Sequence, residues 1–94
     1  MFSRKRYVTA RVKREVDPIT QFFMWSCIDM LPVEADYLQV FELTVVPDGL
    51  RVVHSQENPR YQKEYIIPCR KPLSGKIFVI DDGTHATMLF ANEY

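Results

Sequence analysis

Three turn signals punctuate the second half of the chain. They are Pro47-Asp48-Gly49, Asn58-Pro59 and Asp81-Asp82-Gly83. Proline presets the backbone for a reversal, while Asp, Asn and Gly tolerate left-handed conformations that most residues avoid. The segments around them read as strands. "YLQVFELTVV" (37–46) has apolar residues on both parities, Tyr37, Phe41, Leu43 and Val45 against Leu38, Val40 and Val46. That pattern suits a central strand. Pro47-Asp48-Gly49 reads as a type I turn with its glycine in the left-handed position, so "LRVVHSQ" is expected to return as a hairpin partner. "YQKEYII" resumes alternation after Asn58-Pro59, with Tyr61, Lys63, Tyr65 and Ile67 on one side. The loop "PCRKPLSGK" leads to "IFVI" and "HATMLFA", which flank the last turn.

The first third differs. In "YVTARVKR", Val8, Ala10 and Val12 alternate with Thr9, Arg11 and Lys13, which predicts a half-buried strand showing Tyr7, Thr9, Arg11 and Lys13 to solvent. Asp17 is a good N-cap and Pro18 suits the first helical position, where no N–H is needed. Pro32 biases Leu31 out of a helix. The helix between them, "ITQFFMWSCIDML", has nine apolar residues of thirteen. At about 100° per residue, Ile19, Phe23, Met24, Cys27, Met30 and Leu31 form one broad face, and Phe22, Trp25 and Ile28 fall on the other side. The order β-α-β-β-β-β-β predicts one α+β domain over residues 1–94: a single helix packed on a mostly antiparallel sheet of five or six strands.

With 47% hydrophobic and 26% charged residues the composition is that of an ordinary globular protein. No apolar run nears the roughly 18 residues of a membrane span, and the basic start lacks the apolar core of a signal peptide. A cytoplasmic location without membrane association is the expectation. The two cysteines, Cys27 and Cys69, form no C-x-x-C pair, and a disulfide between them is not expected in that compartment. Net charge is zero but segregated. Residues 1–14 carry six positives and no acid, while 15–50 carry seven acids and no Lys or Arg. Opposite strips meeting across neighbouring strands explain this more simply than a dipolar surface steering a partner.

Asp81-Asp82-Gly83 followed by His85 has the residue types of a metal or acid–base site. A two-residue loop pairs Asp81 with Thr84, and a three-residue loop puts both acids at the tip. Neither register brings the carboxylates onto the imidazole, and a catalytic metal needs about three protein ligands. The hairpin reading is preferred. His54 shares parity with Leu50 and Val52 and reads as a half-buried histidine satisfied by a neighbour rather than a general base. There is no G-x-S-x-G, no glycine-rich phosphate loop and no histidine near either cysteine in sequence. No catalytic residue, metal or cofactor is expected, and the chain reads as a non-enzyme.

Two binding surfaces remain. Phe22, Trp25 and Ile28 on the helix back are candidates for protein contact, since aromatic residues concentrate at interface centres. A homodimer through the helix or an edge strand fits the same reading. The alternative is nucleic acid, with Arg4, Lys5, Arg6, Tyr7, Arg11 and Lys13 combining phosphate-pairing charges and a stacking ring. Against it stands the near-neutral pI.

"KRYVT", "QFFMWSCID", "DYLQVFEL", "YQKEY" and "KIFVIDDGTHATMLFANEY", in that order, resemble the family called domain of unknown function 960, and the resemblance spans nearly the whole chain. It implies a small cytoplasmic accessory protein of Gram-positive bacteria, often found in or near mobile elements and prophages. It carries over no catalytic residue and no cofactor.

Overall fold

The computed structural model of the chain describes residues 2–94. Its elements are β1 (Arg6–Val8), α1 (Ala10–Glu15), α2 (Pro18–Asp29), β2 (Leu38–Val46), β3 (Gly49–Gln56), β4 (Tyr61–Ile67), β5 (Gly75–Asp81) and β6 (Ala86–Phe90), with a closing 3-10 turn at Ala91–Glu93. The strands form one six-stranded sheet in the order β1-β6-β5-β2-β3-β4. β2 is central, as its double-sided apolar pattern predicts, and pairs antiparallel with β3 and β5. β1 runs parallel to β6, so the sheet is mixed.

The long first strand of the sequence reading is corrected: β1 ends at Val8 and Arg11 and Lys13 lie on a second helix. Thr9 caps it, its hydroxyl accepting from the Val12 amide at 3.2 Å. Val8, Val12 and Val16 repeat every four residues, which fits a helix as well as the 8-10-12 alternation fits a strand. The cap and the burial of Val12 and Val16 decide between them. The basic Lys13 and Arg14 fall in the last turn, where they favour the helix dipole.

α2 begins as predicted, with the Asp17 carboxylate accepting from the Ile19 amide at 3.0 Å and Pro18 opening the helix. Its buried stripe is Thr20, Met24, Cys27 and Ile28. Ile19 and Met30, expected inside, are out, and Ile28, expected on the back, is in. α1 accounts for the rotation. The Gln21 amide donates to the carbonyls of Val12 and Val16, at 3.2 and 2.8 Å, and pins one flank of α2 against α1.

Both helices cover the same sheet face. Phe41, Leu43, Leu50, Val52, Ile77, Val79, Met88 and Phe90 supply the core there, with Phe2 inserted beside them. The opposite face carries no helix. Along it Leu38, Val40, Phe78, Ile80 and Leu89 are half-buried by one another, and the Tyr94 ring meets Phe78 edge-on at 6.0 Å.

The final hairpin takes neither expected register. Asp81 pairs with Ala86, leaving Asp82–His85 as a four-residue loop. Asp82 closes it by accepting from the Thr84 and His85 amides, at 2.9 and 3.0 Å. No helix among the described residues is long and apolar enough to cross a membrane.

Candidate functional site

The outer side of α2 and the free edge of the sheet form one continuous surface. Ile19, Phe22 and Met30 lie along α2 with 67%, 73% and 79% of their areas exposed. Hydrophobic side chains of this size are rarely left so open together without a partner. Beside them runs a groove of about 380 Å³. Phe23, Cys27, Met30 and Pro32 line it from α2 and its exit, and Tyr61, Lys63 and Tyr65 line it from β4. Phe23 and Tyr65 meet edge-to-face at 5.1 Å, so the groove has an aromatic bridge tying helix to strand.

β4 reaches this surface because it is the terminal strand beyond β3. Its register puts Tyr61, Lys63, Tyr65 and Ile67 opposite Gln56, His54, Val52 and Leu50, all on the helix side. Burial pushes the Cys27 thiol up, partly offset by the hydrogen-bonding Tyr65 hydroxyl and by Lys63. Burial also raises the Tyr65 phenol, helped by Cys27 and by a hydrogen bond with Tyr61. Both groups stay neutral at physiological pH, and the ammonium of Lys63, 5.3 Å over the Tyr65 ring, is the one charge lining the groove.

The three aromatic-back candidates part company. Phe22 is exposed, Ile28 belongs to the core, and Trp25 is half-buried beneath the Arg6 guanidinium, 4.8 Å from its ring centre. Ile19, Met30, Tyr61, Lys63 and Tyr65 complete the surface instead. The shared parity of Tyr61, Lys63 and Tyr65 was visible in the sequence, whereas their neighbourhood with α2 depends on the order of strands.

The basic candidates do not form one stripe either. Tyr7 points to the helix-free face of the sheet, edge-on to His85 at 5.3 Å, while Arg11 and Lys13 stand on α1. Arg6 pairs with Asp29, Arg11 with Glu15 at 3.3 Å, and Arg4 lies 3.9 Å from Asp81. Lys5 and Lys13 have no ion-pair partner among the described residues. Half of the proposed phosphate contacts are thus already committed to carboxylates.

The histidines are taken up by the fold. His54 is wholly buried rather than half-buried, stacked on Phe41 at 4.4 Å and bonded through Nε2 to Gln39 Oε1 at 2.6 Å. Gln39 in turn donates to Gln56 Oε1 at 2.7 Å, and Gln56 holds the carbonyls of Glu34 and Pro59. Burial pushes the His54 imidazole down to about 4. Asp82 does approach an imidazole, with Oδ2 3.4 Å from His85 Nε2, which the expected registers excluded. That carboxylate is held well below the usual range, first by the His85 amide, then by the amide and hydroxyl of Thr84. Asp81 points elsewhere and is buried. Burial acts to raise it, and the amides of Phe2 and Gly83 with the Arg4 guanidinium overcome that and hold it low. Among the described residues no group of three or more His, Cys, Asp or Glu side chains is placed to hold a metal. Both cysteines are free.

Fold and surface together define a small α+β module with helices on one face of a mixed sheet and an open, partly aromatic edge. The chain belongs to the DUF960 family, described as a staphylococcal protein of unknown function, which it matches over residues 5–93. It is also similar to a protein of unknown function from Enterococcus faecalis whose crystal structure is solved, at 26% identity and a TM-score of 0.83, covering 97% of this chain and 91% of that one. No curated protein matches it.

Proposed function

We propose that this chain is a non-enzymatic module that binds another protein through the surface shared by α2 and β4. The observation that carries the reading is the open stripe Ile19, Phe22 and Met30 beside a groove walled by aromatic residues. Aromatic and methionine side chains are the residues that interfaces enrich, and a concave wall excludes water from them. The helix-free sheet face is apolar too, but Leu38, Val40, Phe78, Ile80 and Leu89 there are half-buried, and its exposed Tyr7 and Ile66 stand on opposite edge strands. Binding rather than catalysis is supported by the places of the two histidines, one locked in a core network and one closing a turn.

The test is capture from a host lysate, treated with nuclease, by the tagged full-length chain and by a Phe22→Ser, Met30→Ser double variant of matched circular dichroism. A protein retained by the wild type and lost by the variant is the expected result. Equal retention by both, or capture that vanishes with nuclease alone, contradicts the reading.

A further inference from the structure

The geometry points to an extended acidic peptide segment as the occupant of this surface, added to β4 as a seventh strand with alternate side chains seated in the α2–β4 groove. The inference rests on the protein-binding reading above and narrows its partner class.

Three observations carry it. The first is the edge itself. β4 is a seven-residue strand at the end of the sheet, and no other segment among the described residues hydrogen-bonds to its free side. Such a strand presents a row of unpaired N–H and C=O groups that template another strand, and proteins usually blunt it by shortening or covering. The opposite edge is treated in that way, since β1 has only three residues.

The second is where the groove lies. A strand added to β4 sends every second side chain to the helix side of the sheet, because strand side chains alternate between faces. On that side stand Phe23, Met30, Tyr61 and Tyr65. Main-chain pairing then supplies the anchor and the groove selects the side chains, which is the physics of strand addition.

The third is charge. Along residues 51–76, Arg51 pairs with Glu64 at 2.9 Å, Lys76 with Glu42 at 3.5 Å, and Lys71 donates to the Arg14 carbonyl at 2.8 Å. In that stretch Arg60, Lys63, Arg70 and Lys71 have no acidic partner among the described residues, Lys71 being held by the carbonyl alone. Arg60 precedes β4, Lys63 lies within it, and Arg70 and Lys71 follow in the loop after Ile67. The arginines of the first segment, Arg4, Arg6, Arg11 and Arg14, all meet carboxylates of the chain itself, so cations left unmatched beside a free strand edge favour carboxylates from the occupant.

The experiment selects random linear peptides displayed on phage against the full chain, then measures binding of the selected peptides to wild type and Lys63→Glu by fluorescence anisotropy. Amide exchange by NMR on the wild-type complex locates them. Expected are peptides with acidic residues among large apolar ones, slowed exchange at alternate β4 amides, and roughly tenfold or greater weakening in Lys63→Glu. Peptides without acidic preference, unaltered β4 amides, or no selected peptide at all would overturn the inference. So would sedimentation showing that β4 of a second copy fills the edge. In each of those cases a folded partner captured by wild type and lost with Phe22→Ser, Met30→Ser leaves the broader protein-binding reading standing, so the two failures are told apart.

Discussion

His54 is neutral and sealed at the centre of a polar chain, and its cost appears in acid. The unfolded chain takes up a proton at the ordinary value of 6.5, while the folded imidazole resists until about 4. A group whose folded pKa is depressed favours the fold fully above its unfolded value and loses that contribution as pH falls towards its folded one. Between pH 6.5 and about 4 the loss is on the order of 3 kcal/mol, at 1.36 kcal/mol per pH unit. Urea unfolding across this interval is expected to show the decline, and His54→Phe is expected to flatten it. A wild-type profile that is level over the same interval contradicts the burial of a neutral imidazole. The parity of His54 with Leu50 and Val52 was legible in the sequence. Its partner was not, because Gln39 lies fifteen residues away on β2 and meets it only through the strand register. Asp81 gives the same lesson. The Asp-Gly turn signal was plain, yet Asp81, which one expected register paired with Thr84 and the other put at the loop tip, is buried and accepts from the amide of Phe2, 79 residues distant at 2.6 Å.

At the scale of elements, α2 fixes the site and its rotation is the quantity to check. Met24 is fully buried and Phe22 is open, two residues apart on one helix. Met24→Ala is expected to cost about 2–5 kcal/mol of stability, the usual range for emptying a core methionine site. Phe22→Ala is expected to shift stability by no more than about 0.5 kcal/mol, as for surface positions generally. Chemical denaturation of both variants checks the pair, and a reversed order refutes the rotation. The caps of α2, its extent and the central place of β2 were readable from Asp17, Pro18, Pro32 and the double-sided pattern at 37–46. The rotation was not, because it is set by α1, whose valine spacing satisfied strand and helix alike. Thr9, three residues before Val12, was the one local signal for a helix start. The parallel pairing of β1 with β6 had no local signal at all, since it joins the two ends of the chain. At the β2–β3 turn, by contrast, local chemistry and packing agree. Gly49 has φ +145°, and a Cβ there would collide with the Ile67 carbonyl.

The whole molecule distributes its charge in a way that the linear sequence only half discloses. The acid-free first segment and the base-free second meet through Arg6 and Asp29, and the third meets the second through Lys76 and Glu42. Surface pairs of this kind stabilise little individually, but those of Arg4, Arg6 and Arg11 take up half of the residues that the nucleic-acid reading relied on. Besides Lys5 and Lys13, the unmatched cations include Arg60 and Lys63 at β4, next to the open apolar stripe of α2. One side of the molecule thus combines an unpaired strand edge, exposed large side chains and unmatched charge. Amide hydrogen exchange of the full chain, with and without the captured partner, tests that convergence most directly. Slowed exchange confined to β4 and the outer turns of α2 is the predicted result. Slowed exchange confined to the Arg4–Lys13 segment or to the helix-free sheet face, with β4 and α2 unchanged, would contradict it.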